Sequence, residues 1–246
     1  MDLKQTPFLK ISTIKIDIES TTNTDGVVHL KSTIKLKKCP HRMTHRLTHW
    51  ATKTPDKVFL AQKNADGIWQ TLTYAETLKK VRTIARYLIQ TNVSDERPIA
   101  ILSENSLEHA LIALAALHIG VPYSPIAPAY SLKSTDFDKL KHTIKLLTPA
   151  LIFVQNGKQY EAALKAVTNK NIEIVAVNDT LSNHTPFDSL LVERLGSILV
   201  DIAYKRIKPD TIAKILFTSG STGLPKGVIN THGNITTNWQ DRKSVV

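Results

Sequence analysis

Cysteine is almost missing: Cys39 is the single one in 246 residues. One thiol cannot close an internal disulfide, which excludes a disulfide-stapled scaffold and fits a reducing compartment. Long hydrophobic runs are missing too. The longest, Ala110 to Leu117, falls far short of the ~20 residues that a membrane span requires. Behind Met1-Asp2-Leu3-Lys4 come polar and β-branched residues rather than the apolar core of a signal peptide. These absences lead us to expect a cytoplasmic protein with no membrane span. Aromatic side chains are sparse at 6%, and 21 acidic residues face 32 basic ones, for a net charge of +11. The first fifty residues contribute nine basic and four acidic side chains to that excess. Such a balance admits nucleic acid, anionic lipid or polyanionic ligands without choosing among them. Lys35, Lys37 and Lys38, ahead of Pro40, read as a solvated surface run. The aromatic interleaving of a single-strand binder and any groove-reading motif are absent, so no nucleic-acid partner is expected. What the chain does hold is 42% hydrophobic side chains, sufficient for one large or two small domains with real cores.

The hydrophobic residues are laid out in alternating short strands and amphipathic helices. Ile14, Ile16 and Ile18 alternate on one face, and Val27 to Leu30 follows a turn at Asn23-Thr24-Asp25-Gly26. This predicts a weak hairpin ahead of the main body. A short helix is expected over Leu47 to Thr52, closed by Pro55, and a second hairpin around Asn64-Ala65-Asp66-Gly67. Thr73 followed three residues later by Glu76 forms a capping box for a helix reaching about Gln90, with Val81, Ile84, Ala85 and Leu88 inward. Ile99 to Leu102 reads as a buried strand. Asn105 is the expected cap of a helix over Leu107 to Ile119, which Gly120 stops. An extended segment, Pro122 to Ile126, comes next. Helices are then expected over Asp136 to Leu147, Tyr160 to Val167 and Phe187 to Leu195. Strands are expected over Leu151 to Val154, Ile172 to Val177 and Ala213 to Phe217, the last as a buried strand. Apolar strands separated by helices imply an α/β chain, a mainly parallel sheet between helices.

Directly behind Phe217 comes Thr218-Ser219-Gly220-Ser221-Thr222-Gly223-Leu224-Pro225-Lys226-Gly227. Four hydroxyls, three glycines and one lysine fall within ten residues. Glycine lets backbone N–H groups turn toward an anion without obstruction by Cβ. Hydroxyls add donors, and lysine adds a point charge suited to phosphate. The expected product is a polyphosphate cradle at a strand end. It is not a Walker A loop, because Lys226 sits between Pro225 and Gly227 and the following Val228-Ile229-Asn230 looks extended.

The run Thr218 to Val228, followed by Thr231-His232, resembles the ATP phosphate-binding signature of the adenylate-forming (AMP-binding) superfamily. Five further stretches look like its acyl-CoA synthetase branch, and there most like feruloyl-CoA synthetases: Leu47–Ala51, Pro98–Leu102, Glu108–Leu114, Gly120–Leu132 and Leu146–Pro149. The resemblance extends from about residue 15 to 240. It implies the N-terminal part of the large domain of an adenylate-forming enzyme, truncated to less than about half of a member. It implies two steps: a carboxylate, here of a hydroxycinnamate-type aromatic acid, attacks the α-phosphorus of ATP, and the thiol of coenzyme A then displaces AMP, with Mg²⁺ balancing polyphosphate charge. The residues matching the loop, Thr218, Ser219, Gly220, Ser221, Thr222, Gly223 and Lys226, would hold the β- and γ-phosphates. The family's later Tyr/Phe-Gly-x-Thr-Glu segment, its ribose-binding Asp and its C-terminal lysine have no counterpart before Val246. No catalytic or metal-ligating residue is therefore expected within the chain. A fatty-acid ligase or a weak nucleotide-binding fragment are the alternative readings.

Several other residues attract functional readings and have simpler ones. His41, His45 and His49 recur every four residues, but no carboxylate or cysteine completes a metal set. His232 is expected to start the next helix rather than to perform chemistry, and Trp50 to pack in the core with Leu47. Glu104 with Glu108, and Asp136 with Asp138, sit at helix starts, where the dipole favours carboxylates. The expected organisation is an extension over 1–40, a partial AMP-binding domain over 41–240, and a non-native tail over 241–246. Through Asn238-Trp239-Gln240 the family pattern holds; it breaks at Asp241-Arg242-Lys243-Ser244-Val245-Val246. Those six residues back-translate to GAT CGG AAG AGC GTC GTG, the start of a common sequencing adapter whose next codon in frame is a stop.

Overall fold

A strand can be apolar on both sides only if both faces of its sheet are covered, and Ile99–Leu102 and Leu151–Val154 are buried along their whole length. The computed structural model, which describes residues 17–35, 37–218 and 223–241, shows how they are covered. A small antiparallel hairpin comes first, β1 (Ile18–Thr22) and β2 (Val28–Ser32), exposed throughout. Its turn at Asn23–Gly26 is where the sequence puts it. Ile14 and Ile16 lie outside the described residues, and Ile18 opens the first strand. Next come α1 (His45–Lys53), the hairpin β3 (Val58–Lys63) and β4 (Trp69–Thr73), and α2 (Tyr74–Leu88). The predicted capping box is formed in full: Thr73 Oγ1 accepts from Glu76 N–H at 3.2 Å, and Glu76 Oε2 accepts from Thr73 N–H at 2.8 Å.

The main sheet is built from β5 (Ile99–Leu102), α3 (Leu107–Ile119), β6 (Tyr123–Pro125), α4 (Ala129–Leu132), α5 (Asp138–Leu147) and β7 (Leu151–Asn156), followed by α6 (Glu161–Val167), β8 (Glu173–Asn178) and β9 (Thr185–Pro186). A 3₁₀ turn over Phe187–Leu191 and α7 (Ser197–Arg206) lead to β10 (Ile212–Thr218), β11 (Lys226–Thr231) and α8 (His232–Asp241). Spatial order is β11-β10-β6-β5-β7-β8-β9, parallel everywhere except between β10 and β11. The α/β class and the mainly parallel sheet between helices are as expected. Successive residues of one strand enter opposite cores. Ile99, Ile101, Leu151, Phe153 and Val175 join α2, α3 and α7 on one side. Ala100, Leu102, Ile152, Val154, Ile174 and Ala176 join α5 and α6 on the other.

Four local readings need correction. The cap of α3 is Ser106 rather than Asn105: Ser106 is extended, and its Oγ accepts from His109 N–H at 3.0 Å. Trp50 is 38% exposed; it lines a cleft with Pro40, Arg46 and Trp239 instead of entering the core with Leu47. In β10 only Ala213 is fully buried, because the helices of the α5 and α6 layer reach Ile215 and Phe217 only in part. The expected helix over Phe187 to Leu195 is the short 3₁₀ turn, and α7, which the sequence reading omits, follows it. Gly120 does stop α3, at φ +75 in the left-handed region. No helix among the described residues is long and apolar enough to cross a membrane.

Candidate functional site

Every parallel strand of the main sheet points its C-terminal end to the same edge, the edge where open α/β sheets hold ligands. β10 delivers Thr218 there, and β11 leaves from Lys226. These two residues are register partners, and Thr218 Oγ1 lies 3.5 Å from Lys226 O. β10 is itself fastened to the sheet by buried Ser124, whose hydroxyl donates to Ile215 O at 2.8 Å.

Of the predicted phosphate-binding residues, Thr218 and Lys226 are brought together, and Gly223 lies three residues ahead of Lys226. Ser219, Gly220, Ser221 and Thr222 lie outside the described residues. Gly223 has φ +102 and open space where a Cβ would stand, so its backbone conformation, not crowding, calls for glycine. Lys226 is exposed, and no carboxylate among the described residues pairs with it. Gly227 faces the other constraint: a Cβ would come within 3.3 Å of Ile215 Cγ2 and 3.5 Å of Phe217 Cε1. Between them Pro225 is buried, and His142 Nε2–H donates to its carbonyl oxygen at 3.0 Å. Sequence reasoning passed over His142, which sits on α5, 83 residues from Pro225, with no motif around it.

His41, His45 and His49 take part in no group of three metal-ligating side chains among the described residues. Burial, then Arg46, His49 and Arg42, lowers the His45 pKa. His232 starts α8, as expected, and its fully buried ring accepts from Met43 N–H through Nδ1 at 3.0 Å. Burial, aided by Arg42, pushes its pKa down to about 4, so it is neutral at pH 7. His118, unremarked in the sequence, repeats this on α3. Its Nδ1 is 3.1 Å from Thr44 Oγ1, its ring stacks on Tyr204, and burial pushes it down to about 4. The two rings thus clasp Met43 and Thr44, the segment that leads into α1. The carboxylates also keep to helix starts: Glu108 accepts from Gln155 Nε2, and Asp136 from Ser134 Oγ and Asp138 N–H.

Cavity volume does not mark the site. A cavity of about 510 Å³ lined by Arg97, Lys145, Thr148 and Asn171 lies where the chain enters β5, β7 and β8, at the edge opposite the loop. A second, of about 480 Å³, is lined by Lys79, Arg82, Arg86 and Arg194. Its cations are already engaged: Lys79 with Glu193, Arg82 with Asp201, Arg86 with Leu195 O, and Arg194 with Ser189 O and Val192 O. They clasp α7 and the segment leading into it.

Comparison with known proteins places the chain in a family. A dimodular nonribosomal peptide synthase of Bacillus subtilis (strain 168) is 28% identical over 206 residues, 81% of this chain and 8% of that protein. The long-chain-fatty-acid–CoA ligase ACSBG2 of Rattus norvegicus is 30% identical over 186 residues, 72% of this chain and 27% of the relative. Among solved structures, a fatty acyl-adenylate ligase from L. pneumophila, in complex with acyl adenylate and pyrophosphate, superposes with a TM-score of 0.60 at 22% identity, over 83% of this chain and 33% of that one. The chain thus spans a third or less of the length of each. The model of one family, described as AMP-binding enzyme, matches residues 47–245. With the strand, the loop and its lysine where that family match runs, the chain belongs to the AMP-binding enzyme family.

Proposed function

We propose that the chain is the N-terminal part of an ATP-dependent acid–CoA ligase, a cytoplasmic enzyme that activates a hydroxycinnamate-type aromatic carboxylate. One observation carries the reading: in a member of the AMP-binding family, Thr218 and Lys226 stand as register partners at the C-terminal edge of a parallel sheet, and no carboxylate among the described residues pairs with the lysine. A carboxylate oxygen would attack the α-phosphorus of ATP and expel pyrophosphate. The thiol of coenzyme A would then attack the acyl carbon and expel AMP. In this reading Thr218, Ser219, Gly220, Ser221, Thr222, Gly223 and Lys226 hold the β- and γ-phosphates, fixing their geometry and offsetting charge as pyrophosphate leaves. The described residues contain no group of three metal-ligating side chains. A Mg²⁺ ion accompanying the polyphosphate would be held chiefly by the phosphates and water.

The aromatic acid rests on the likeness of Gly120–Leu132 and its companion stretches to feruloyl-CoA synthetases. A long-chain fatty acid is the second reading, favoured by the 30% identity to a ligase named for that substrate. Pyrophosphate and AMP release by the complete gene product, given ATP, Mg²⁺, coenzyme A and either ferulate or palmitate, separates them. Release with neither acid, nor with any of a panel, overturns the ligase reading. The proposed organisation is an extension over 1–40, a partial AMP-binding domain over 41–240 and a non-native tail over 241–246. Amplification across codon 241 from the source DNA tests the tail. An open frame reaching a Tyr/Phe-Gly-x-Thr-Glu segment supports it, and a native stop after Val246 overturns it.

A further inference from the structure

We infer that His142 is a positioning residue of the phosphate loop, acting through the Pro225 carbonyl on the orientation of Lys226. The inference rests on the nucleotide-binding reading above and adds a part to it. Proline has no N–H, so the carbonyl is the only backbone group by which Pro225 can be held. Pro225 is a buried residue, and an unpaired acceptor in a partly buried position is costly. His142 Nε2–H supplies the partner at 3.0 Å. The bond joins α5, the helix layer under Ile215 and Phe217, to the first peptide of β11.

The geometric consequence falls on Lys226. A planar trans peptide fixes the Lys226 N–H opposite to the Pro225 C=O. Holding that carbonyl therefore sets the plane of the Lys226 amide and leaves one backbone torsion, φ, between that plane and the side chain. On the other strand Lys226 is held by its register with Thr218. Gly223, two residues before Pro225, has open space where a Cβ would stand. Among the described residues, His142 is thus the side chain outside the β10–β11 ribbon that holds the loop exit by a hydrogen bond. Without it the Pro225–Lys226 peptide is held only through the β10–β11 register, and the ammonium group samples a wider volume before meeting a phosphate.

The test compares His142→Gln with His142→Met in the 246-residue chain. The two side chains have similar length and shape, but only Gln can donate. Calorimetric titration with Mg-pyrophosphate and Mg-ATP is the first readout; amide exchange at Lys226 and Gly227 is the second. We expect the Met variant to bind about fivefold more weakly, the size of one net hydrogen bond, and the Gln variant to stay within twofold of the parent. We also expect faster exchange of both amides in the Met variant alone. If the parent binds and both variants bind equally, whether as well as the parent or worse, the positioning role is overturned. If the parent itself does not bind, the nucleotide-binding reading fails for this chain, and exchange decides His142. Faster exchange in Met but not in Gln upholds the positioning role; equal exchange overturns it.

Discussion

Acidification from pH 7.5 to 5.0 should weaken the fold through two buried histidines. His118 and His232 are each pushed down to about 4 by burial, with Arg82 helping to lower the first and Asp201 opposing, and Arg42 helping to lower the second. In the unfolded chain both titrate near about 6.5. The unfolded state therefore takes up protons first as the pH falls. The stability that these groups contribute is complete above about 6.5 and is lost progressively down to about 4. At pH 5.0 each histidine costs about 2 kcal/mol, or about 4 kcal/mol for the pair, against the ~5–15 kcal/mol of an ordinary domain. The geometry makes the loss specific. Nδ1 of His232 accepts from Met43 N–H, and a protonated ring cannot accept there. Urea titrations at the two pH values measure the effect. His232→Asn keeps an acceptor for Met43 N–H, and His118→Phe keeps the stack on Tyr204, while neither titrates. Each should remove roughly half of the pH dependence. If either variant loses as much stability as the parent between pH 7.5 and 5.0, the histidine it replaces does not titrate as the structure requires.

Three substitutions probe the fold. Ser124→Ala removes the hydroxyl that fastens β10 to β6 and should cost about 1 kcal/mol, measured by urea unfolding. Thr73→Ala dismantles the capping box of α2 and should also cost about 1 kcal/mol, with helix fraying at residues 74–77 visible by amide exchange. Gly157→Ala would place a Cβ 2.4 Å from the backbone oxygen of Asp179. We expect it to lower the melting temperature more than either of the others, and an unchanged melting temperature would contradict the packing of this turn.

The features legible in the sequence were those whose cause is local. Thr73 and Glu76 satisfy each other within one turn, Gly120 ends its helix by its own backbone freedom, and Ile99–Leu102 needs only to be apolar throughout. The features missed depend on distant neighbours. α7 turns Ile198, Leu199 and Ile202 outward and buries Val200, so its apolar residues do not mark its inner face. Trp50 reads as a core residue in the sequence, yet its position on α1 puts it, with Trp239, along a partly open cleft. Half of the candidate site follows the same rule. The glycines, hydroxyls and lysine of the loop announce themselves by spacing. The partner of Pro225 is a histidine contributed by another layer, and no periodicity links them. Ser106, next to Asn105, shows the limit of resolution even for a local signal, since both residues make good caps and only the backbone chooses.

The strand order has a consequence for how the chain assembles. From β5 to β8 each parallel strand pairs with one a few dozen residues away, so this centre can close by short loops. β10 instead returns to β6, with Lys214 beside Tyr123, after nearly a hundred residues spent elsewhere. Closing so long a loop carries an entropic cost that only the finished centre can offset. The strand that carries the phosphate loop is therefore expected to dock late, on a sheet already formed. During synthesis the ribosome must deliver α6, β8 and α7 before that docking can occur, and until then Ser124 has no carbonyl to meet.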